Sequence, residues 1–255
     1  MVEIKTPAEI EAMAEAGKVV AAALAAVGSH AAVGVSLREL DEIARTVIDG
    51  SGATSAFLGY RPSFAPTPFP AVICTSVNDA IVHGIPDGYR LRDGDLLSVD
   101  CGVLLDGWAG DAAVSLTVGR PRPADLALIA TAQAALEAAI ALCVPGGRLG
   151  DLGHAIARTG RAAGCGTIEE FGGHGIGRAM HEDPHVPNRG RPGRGLTLRP
   201  GLVLAIEPMF TAGGADGHVT AADGWTLCST DGSRAAHVEH TVAVTDDGPR
   251  VLTRR

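Results

Sequence analysis

The sequence predicts an α+β fold made of two similar halves, and three observations carry that reading. Leu91-Arg92-Asp93-Gly94-Asp95-Leu96-Leu97-Ser98-Val99-Asp100 aligns without a gap with Leu198-Arg199-Pro200-Gly201-Leu202-Val203-Leu204-Ala205-Ile206-Glu207, and each ends an apolar strand on a carboxylate. His-Gly-Ile stands upstream of each copy, at His83-Gly84-Ile85 and His174-Gly175-Ile176, and Ile-Ala-Arg-Thr stands further upstream, from Ile43 and from Ile156. In each half helix signals precede strand signals, the α+β order. Neither half need bury its sheet alone, because the two can face each other across a cleft. A carboxylate then arrives from each half at matching places, which points to a shared metal centre.

Thr6-Pro7-Ala8-Glu9 reads as a helix start, with Thr at the N-cap, Pro in the first turn and Glu where a capping box places it. Ile10, Met13, Gly17, Val20, Leu24 and Val27 then keep helical spacing. Ser36-Leu37-Arg38-Glu39 opens a second helix, with Leu37, Leu40, Ile43, Ala44 and Val47 on one face. A Pro-rich loop follows over 61–70. Strands are expected over 71–75, 96–104 and 109–118, the last two joined by Asp106-Gly107, a strong hairpin signal. Residues 123–143 and 149–163 read as helices, and strands resume over 203–210 and 237–244. The halves divide near 119–123, giving approximately 1–120 and 121–255. No linker there suits independent domains, so a single catalytic domain is expected.

With 255 residues the chain could bury roughly three-quarters of its unfolded surface. A hydrophobic share of 46% and 34 Gly suit a globular protein with many tight turns. The net charge of -8 gives no electrostatic case for nucleic-acid binding, so no DNA partner is expected. Five Cys, an odd number with no Cys-x-x-Cys, indicate neither a disulfide framework nor a zinc knuckle and favour a reducing cytoplasm. The apolar run 19–27 follows Glu3, Glu9, Glu11 and Glu15, where a signal peptide needs positive charge. No apolar run is long enough to span a bilayer, so a soluble cytoplasmic protein is expected.

If the Asp106-Gly107 loop has two residues, Asp100 sits opposite Ala113 and diagonal to Asp111 on one sheet face. Two such carboxylates repel unless a cation or proton joins them; the alternative is that one points outward. His174 lies among four glycines, which let the backbone approach something closely. Glu207 ends an apolar strand before Pro208, and Glu239 interrupts another. Four carboxylates carry a charge that two divalent cations would neutralise, and bridging carboxylates suit ions roughly 3.5–4 Å apart. Oxygen-rich ligation with one imidazole favours Mn, Fe, Co or Zn over a thiolate zinc site. Such a pair would make hydroxide near neutral pH and polarise a carbonyl, which is metal-assisted hydrolysis.

On Ser98-Val99-Asp100-Cys101-Gly102, Asp106-Gly107-Trp108-Ala109-Gly110-Asp111, Gly173-His174-Gly175-Ile176-Gly177, Ile206-Glu207-Pro208-Met209 and Glu239-His240-Thr241 the chain resembles the type I methionine aminopeptidases over essentially its whole length. The resemblance implies the pita-bread fold: two pseudo-symmetric halves, with antiparallel sheet and outer helices, around a dinuclear metal site. It implies removal of the initiator Met from nascent chains with a small second residue, by attack of a metal-bridging hydroxide on the scissile carbonyl. Asp111 and Glu239 match the bridging ligands, Asp100 the chelating ligand of one ion, and His174 with Glu207 completes the other. Glu207 would also accept the proton of the water. His181 matches the histidine that bonds the substrate carbonyl, and His83 the one at the scissile amide.

The methionine pocket would comprise Tyr60, Phe69, Cys74 and Trp225, with Phe57 nearby; aromatic and sulfur groups suit a thioether. The alternative is that Tyr60 and Trp225 are ordinary core. Two departures stand out: the 61–69 loop is longer than the family's usual turn, and Met180 replaces a common aromatic residue. Between Glu207 and Glu239 there is no room for the helical insertion of type II enzymes. The expected partner is the N-terminus of a nascent polypeptide, and the expected state is a monomer. A loop with Arg189, Arg191, Arg194 and Arg199 is a candidate for transient ribosome contact, against the plainer reading of a solvated loop. Two other readings compete. A proline-directed peptidase of the same fold usually carries a further N-terminal domain and more histidines, and a non-catalytic relative would have lost ligands.

Overall fold

In the computed structural model, which describes all residues except Met1, Phe64, Glu169 and Arg255, the helices begin where the capping signals stand. α1 (Pro7–His30) is capped by Thr6 and α2 (Leu37–Gly50) by Ser36, each with a capping box closed by Glu9 or Glu39. These bonds satisfy amides that a first turn otherwise leaves unpaired. α3 (Pro123–Ile140) and α4 (Leu149–Ala162) form the second pair. By length and composition α3 could cross a bilayer, which corrects the expectation that no such run exists. Its Leu128, Ala132, Ala135, Leu136 and Ala139 pack into the protein core instead.

The first half contributes β1 (Thr54–Ser55), β2 (Cys74–Val77), β3 (Ala80–Val82), β4 (Leu96–Leu105) and β5 (Trp108–Thr117). The second contributes β6 (Gly166–Thr167), β7 (Gly172–Gly175), β8 (Glu182–Pro187), β9 (Val203–Ile206) and β10 (Met209–Thr211). It continues with β11 (His218–Thr220), β12 (Leu227–Ser229), β13 (Ala235–His237), β14 (His240–Thr245) and β15 (Gly248–Val251). All pairings are antiparallel. β4 pairs with β5 along one edge and with β2 and β1 along the other. The second half builds a five-stranded sheet, β15-β14-β9-β7-β8, and a three-stranded one, β13-β10-β6. In another three-stranded sheet β3 of the first half joins β12 and β11 of the second.

Between β4 and β5 the turn residues Asp106 and Gly107 both have positive φ, 50° and 75°, as a two-residue hairpin turn requires. The strand expected over 71–75 begins only at Cys74. The amides of Val72 and Ile73 donate instead to Asp41 Oδ1 at 2.8 and 3.2 Å, so α2 takes the bonds a strand would use. The runs 203–210 and 237–244 are each two strands rather than one. Pro208 has no N–H to continue a ladder, and the partner run breaks opposite it. Ile206 pairs with His240 in the five-stranded sheet, and Met209 pairs with His237 in the three-stranded one. The chain therefore changes sheets at Glu207-Pro208 and back at Val238-Glu239.

Two helix-backed cores result. One under α1 and α2 draws on residues from Ala16 to Val118; the other, under α3 and α4, draws on residues from Leu128 to Val244 and on Leu96. A third cluster mixes α1, Phe57, Trp108, Ile176, Val203 and Trp225, closing the space between them.

Candidate active site

The β4–β5 register sets Asp100 opposite Ala113 and Asp111 opposite Gly102, so the two carboxylates are diagonal neighbours on one face. Glu239 enters from the second half, its N–H donating to the Ala113 carbonyl at 2.9 Å. Thr241 Oγ1 adds a second tie, accepting from the Asp111 amide at 3.0 Å and donating to the Asp111 carbonyl at 2.7 Å. The shared register of the ladders on either side of the break brings Glu207 across from Glu239.

His174 lies on β7, paired with Ala205 of β9 and His185 of β8. The flanking glycines permit that squeeze. A Cβ on Gly173 would stand 2.1 Å from the Ala205 carbonyl oxygen, and one on Gly175 would stand 2.1 Å from that of Asp183. His174 Nδ1 lies 2.9 Å from the Gly175 carbonyl oxygen. That acceptor puts the ring proton on Nδ1 and leaves the Nε2 lone pair facing the carboxylates.

Nε2 of His174 is 3.7 Å from Asp111 Oδ2 and 3.9 Å from Glu207 Oε1. Two overlapping groups of potential ligand atoms form: Asp111, His174 and Glu239, and Glu207, His237 and Glu239, with the atoms of each group within 4.8 Å of one another. Asp100 belongs to neither group, but it faces the same cavity beside Asp111. Burial, then repulsion from Asp100 and Glu207, pushes the Asp111 carboxyl well above the usual range. Glu239 is raised in the same way by burial, Asp111 and Glu207, and burial takes Asp100 up to about 7. Burial also opposes ionisation of Glu207, but His237, His174 and His83 outweigh it and hold that carboxyl below its ordinary value. Asp100 Oδ1, Asp111 Oδ1 and Glu239 Oε1 are buried with no hydrogen-bond partner. Orphaned, mutually repelling carboxylate oxygens beside an imidazole fit a divalent metal.

This cluster lines a cavity of about 480 Å³ whose wall also includes Phe57, Tyr60, Phe69, Cys74, Met209 and Trp225. Trp225 Nε1 donates to the Thr67 carbonyl at 3.0 Å, and its ring meets Phe69 edge-on at 5.1 Å. That contact seats Phe69 in the wall despite the long 61–69 loop, of which Phe64 lies outside the described residues. Met180 is buried beside Phe57 rather than in the wall.

His83 adopts φ of 60°, a region that non-glycine residues rarely enter and that recurs at functional sites. Burial takes its imidazole down to about 4, so it is neutral at pH 7. His181 stacks on Tyr60 with ring centres 5.2 Å apart and lies 4.2 Å from the His174 ring. Desolvation and that neighbouring imidazole take it down to about 4 as well. Every site residue singled out from the sequence thus faces one cavity. Phe171 and Met209 line it too. His237 carries no motif that marks it, although it precedes Glu239 by two residues, the spacing of one strand face.

Residues 11–246 match metallopeptidase family M24. Methionine aminopeptidase 1 of Mycobacterium tuberculosis is 53% identical over 256 residues, covering 98% of this chain and 94% of that protein. The crystal structure of methionine aminopeptidase from Thermotoga maritima superposes with a TM-score of 0.94 at 40% identity over the whole of both chains. Prolidase from Pyrococcus furiosus shares the fold, with a TM-score of 0.77 at 22% identity over 99% of this chain and 65% of that one.

Proposed function

The chain belongs to metallopeptidase family M24 and has the pita-bread fold, and on that footing we propose how its site removes N-terminal methionine from nascent polypeptides. The observation that carries the reading is the joining, in one cavity, of an orphaned carboxylate cluster to an aromatic and sulfur-lined wall. Asp100, Asp111, His174, Glu207 and Glu239 would hold two divalent ions, one pair of charges for each cation. When bound, the ions supply Lewis acidity and lower the pKa of water.

The other steps belong to the chain. Tyr60, Phe69, Cys74 and Trp225 grip the methionine side chain and so place its carbonyl over the carboxylates. Glu207 is ionised at neutral pH and accepts the proton of the attacking water. His181, neutral and donating, bonds the carbonyl oxygen as negative charge gathers there. His83, neutral and held by its unusual backbone, lies against the scissile amide and orients it. Such a reaction belongs where nascent chains emerge, in the cytoplasm, and asks for no second copy of the chain.

Cleavage of a Met-X-Ser peptide panel, with metal analysis on the same sample, tests this. Met-Ala-Ser is expected to be cleaved, a chelator to abolish the cleavage, and Mn(II) or Co(II) to restore it. Failure to cleave any Met-peptide with two equivalents of divalent metal bound would overturn the proposal.

A further inference from the structure

The proposed roles leave one buried imidazole unused. His237, the last residue of β13, is 1% exposed, and its Nε2 is buried with no hydrogen-bond partner. That nitrogen lies 3.3 Å from Glu207 Oε2 and 3.9 Å from Glu239 Oε2. Glu207 therefore divides its two oxygens between two rings, Oε1 toward His174 and Oε2 toward His237. A ring nitrogen sealed beside a carboxylate is costly unless it shares a proton with it. A closure of roughly 0.5 Å would bring the pair to the length of a charge-assisted bond.

The backbone of His237 is held from the other half of the molecule. Its N–H donates to Ser115 Oγ at 3.0 Å, with Ser98 Oγ at 3.3 Å, and Ser115 Oγ donates to the His237 carbonyl at 2.7 Å. Ser98 precedes Asp100 by two residues on β4, so one strand positions both a carboxylate of the cluster and the neighbour of another.

We infer that His237 is a positioning residue: its Nε2–H donates to Glu207 Oε2 and leaves Oε1 as the oxygen that meets a divalent ion. The inference rests on the metal site proposed above and concerns metal binding, not peptide cleavage. Partners of this kind behind a metal ligand typically govern 10–100-fold in affinity.

The full-length metal-free protein, titrated with Co(II) by calorimetry and visible absorption, supplies the test without any peptide. His237→Leu is expected to weaken Co(II) binding by about 10–100-fold. His237→Gln, which keeps an N–H donor and adds no ring nitrogen, is expected to restore wild-type affinity and spectrum. Unchanged affinity in the Leu variant would reduce His237 to packing. A Gln variant with a changed spectrum and lost affinity would make His237 a ligand and overturn the inference. Should the Leu variant not fold, nitrogen NMR of the Zn(II)-loaded wild type decides. A proton on His237 Nε2 supports the positioning role, and a bare Nε2 overturns it.

Discussion

His181 stacks on Tyr60 and lies tilted against His174, yet it has no place in either group of candidate ligands. Replacing it with Ala should lower kcat and leave metal content intact. The expected loss is roughly 2–4 kcal/mol of transition-state stabilisation. Steady-state kinetics with metal analysis checks this, and loss of metal would make His181 a ligand. Gly173 poses the opposite case, a residue defined by what it lacks. Its missing Cβ would overlap the Ala205 carbonyl oxygen, and backbone cannot move aside as a side chain can. Gly173→Ala is expected to cost about 1–3 kcal/mol by chemical denaturation and to displace His174. That the glycines crowd His174 was legible in the sequence. What they approach was not: the neighbours are strands β8 and β9, brought in by tertiary packing.

Among the elements, the breaks in the paired runs matter more than the strands. β9 and β10 share one register with β14 and β13, and the ladder opens only where Glu207-Pro208 faces Val238-Glu239. At that opening Val238 N–H still donates to the Pro208 carbonyl at 3.3 Å, while the Glu239 N–H faces the other way and donates to Ala113 of β5. Pro208 marks one break in the sequence; nothing in Val238-Glu239 marks the other, because it is imposed from across the sheet. A separate tie holds the elements behind the site. Asp216 pairs with Arg161 of α4 and with Arg189, and it accepts from the Thr167 amide of β6 at 2.9 Å. Burial opposes ionisation there, but those partners prevail and hold Asp216 down to about 2. A carboxyl depressed on folding stabilises fully above its unfolded value of 3.8, and that contribution is lost as pH falls through 2. Asp216→Asn should therefore lower the Tm at pH 7 and bring no further penalty near pH 2, as calorimetry would show.

On the scale of the whole molecule, metal and protons compete for the same carboxylates. Asp100, Asp111 and Glu239 all have raised folded values, so their stabilising share is complete only below the unfolded values of 3.8 and 4.5. It is lost as pH rises, through about 7 for Asp100 and through the raised values of the other two. His83, His181 and His240 are depressed to about 4 and slope the other way, but only below 6.5. Between pH 6.5 and 8 the chelated protein should thus lose Tm while the metal-loaded protein holds it. With free ion at 100 times its Kd, each site adds about 2.7 kcal/mol. Parallel melts with and without chelator test this, and equal slopes would refute it.

The amino-acid order by itself determined the duplicated helix-then-strand plan, the capped starts of α1 and α2, and the pairing of Asp100 with Asp111. Each follows from neighbours in sequence: a capping box spans four residues, and a two-residue turn sets the parity of both strands it joins. Only the tertiary structure decided that Asp41 would take the amides of Val72 and Ile73. It alone bent His83 into positive φ and carried His237 from the end of β13 to Glu207. Those outcomes depend on groups 30 or more residues apart, or on strand partners in another sheet. Local spacing carries no record of such contacts.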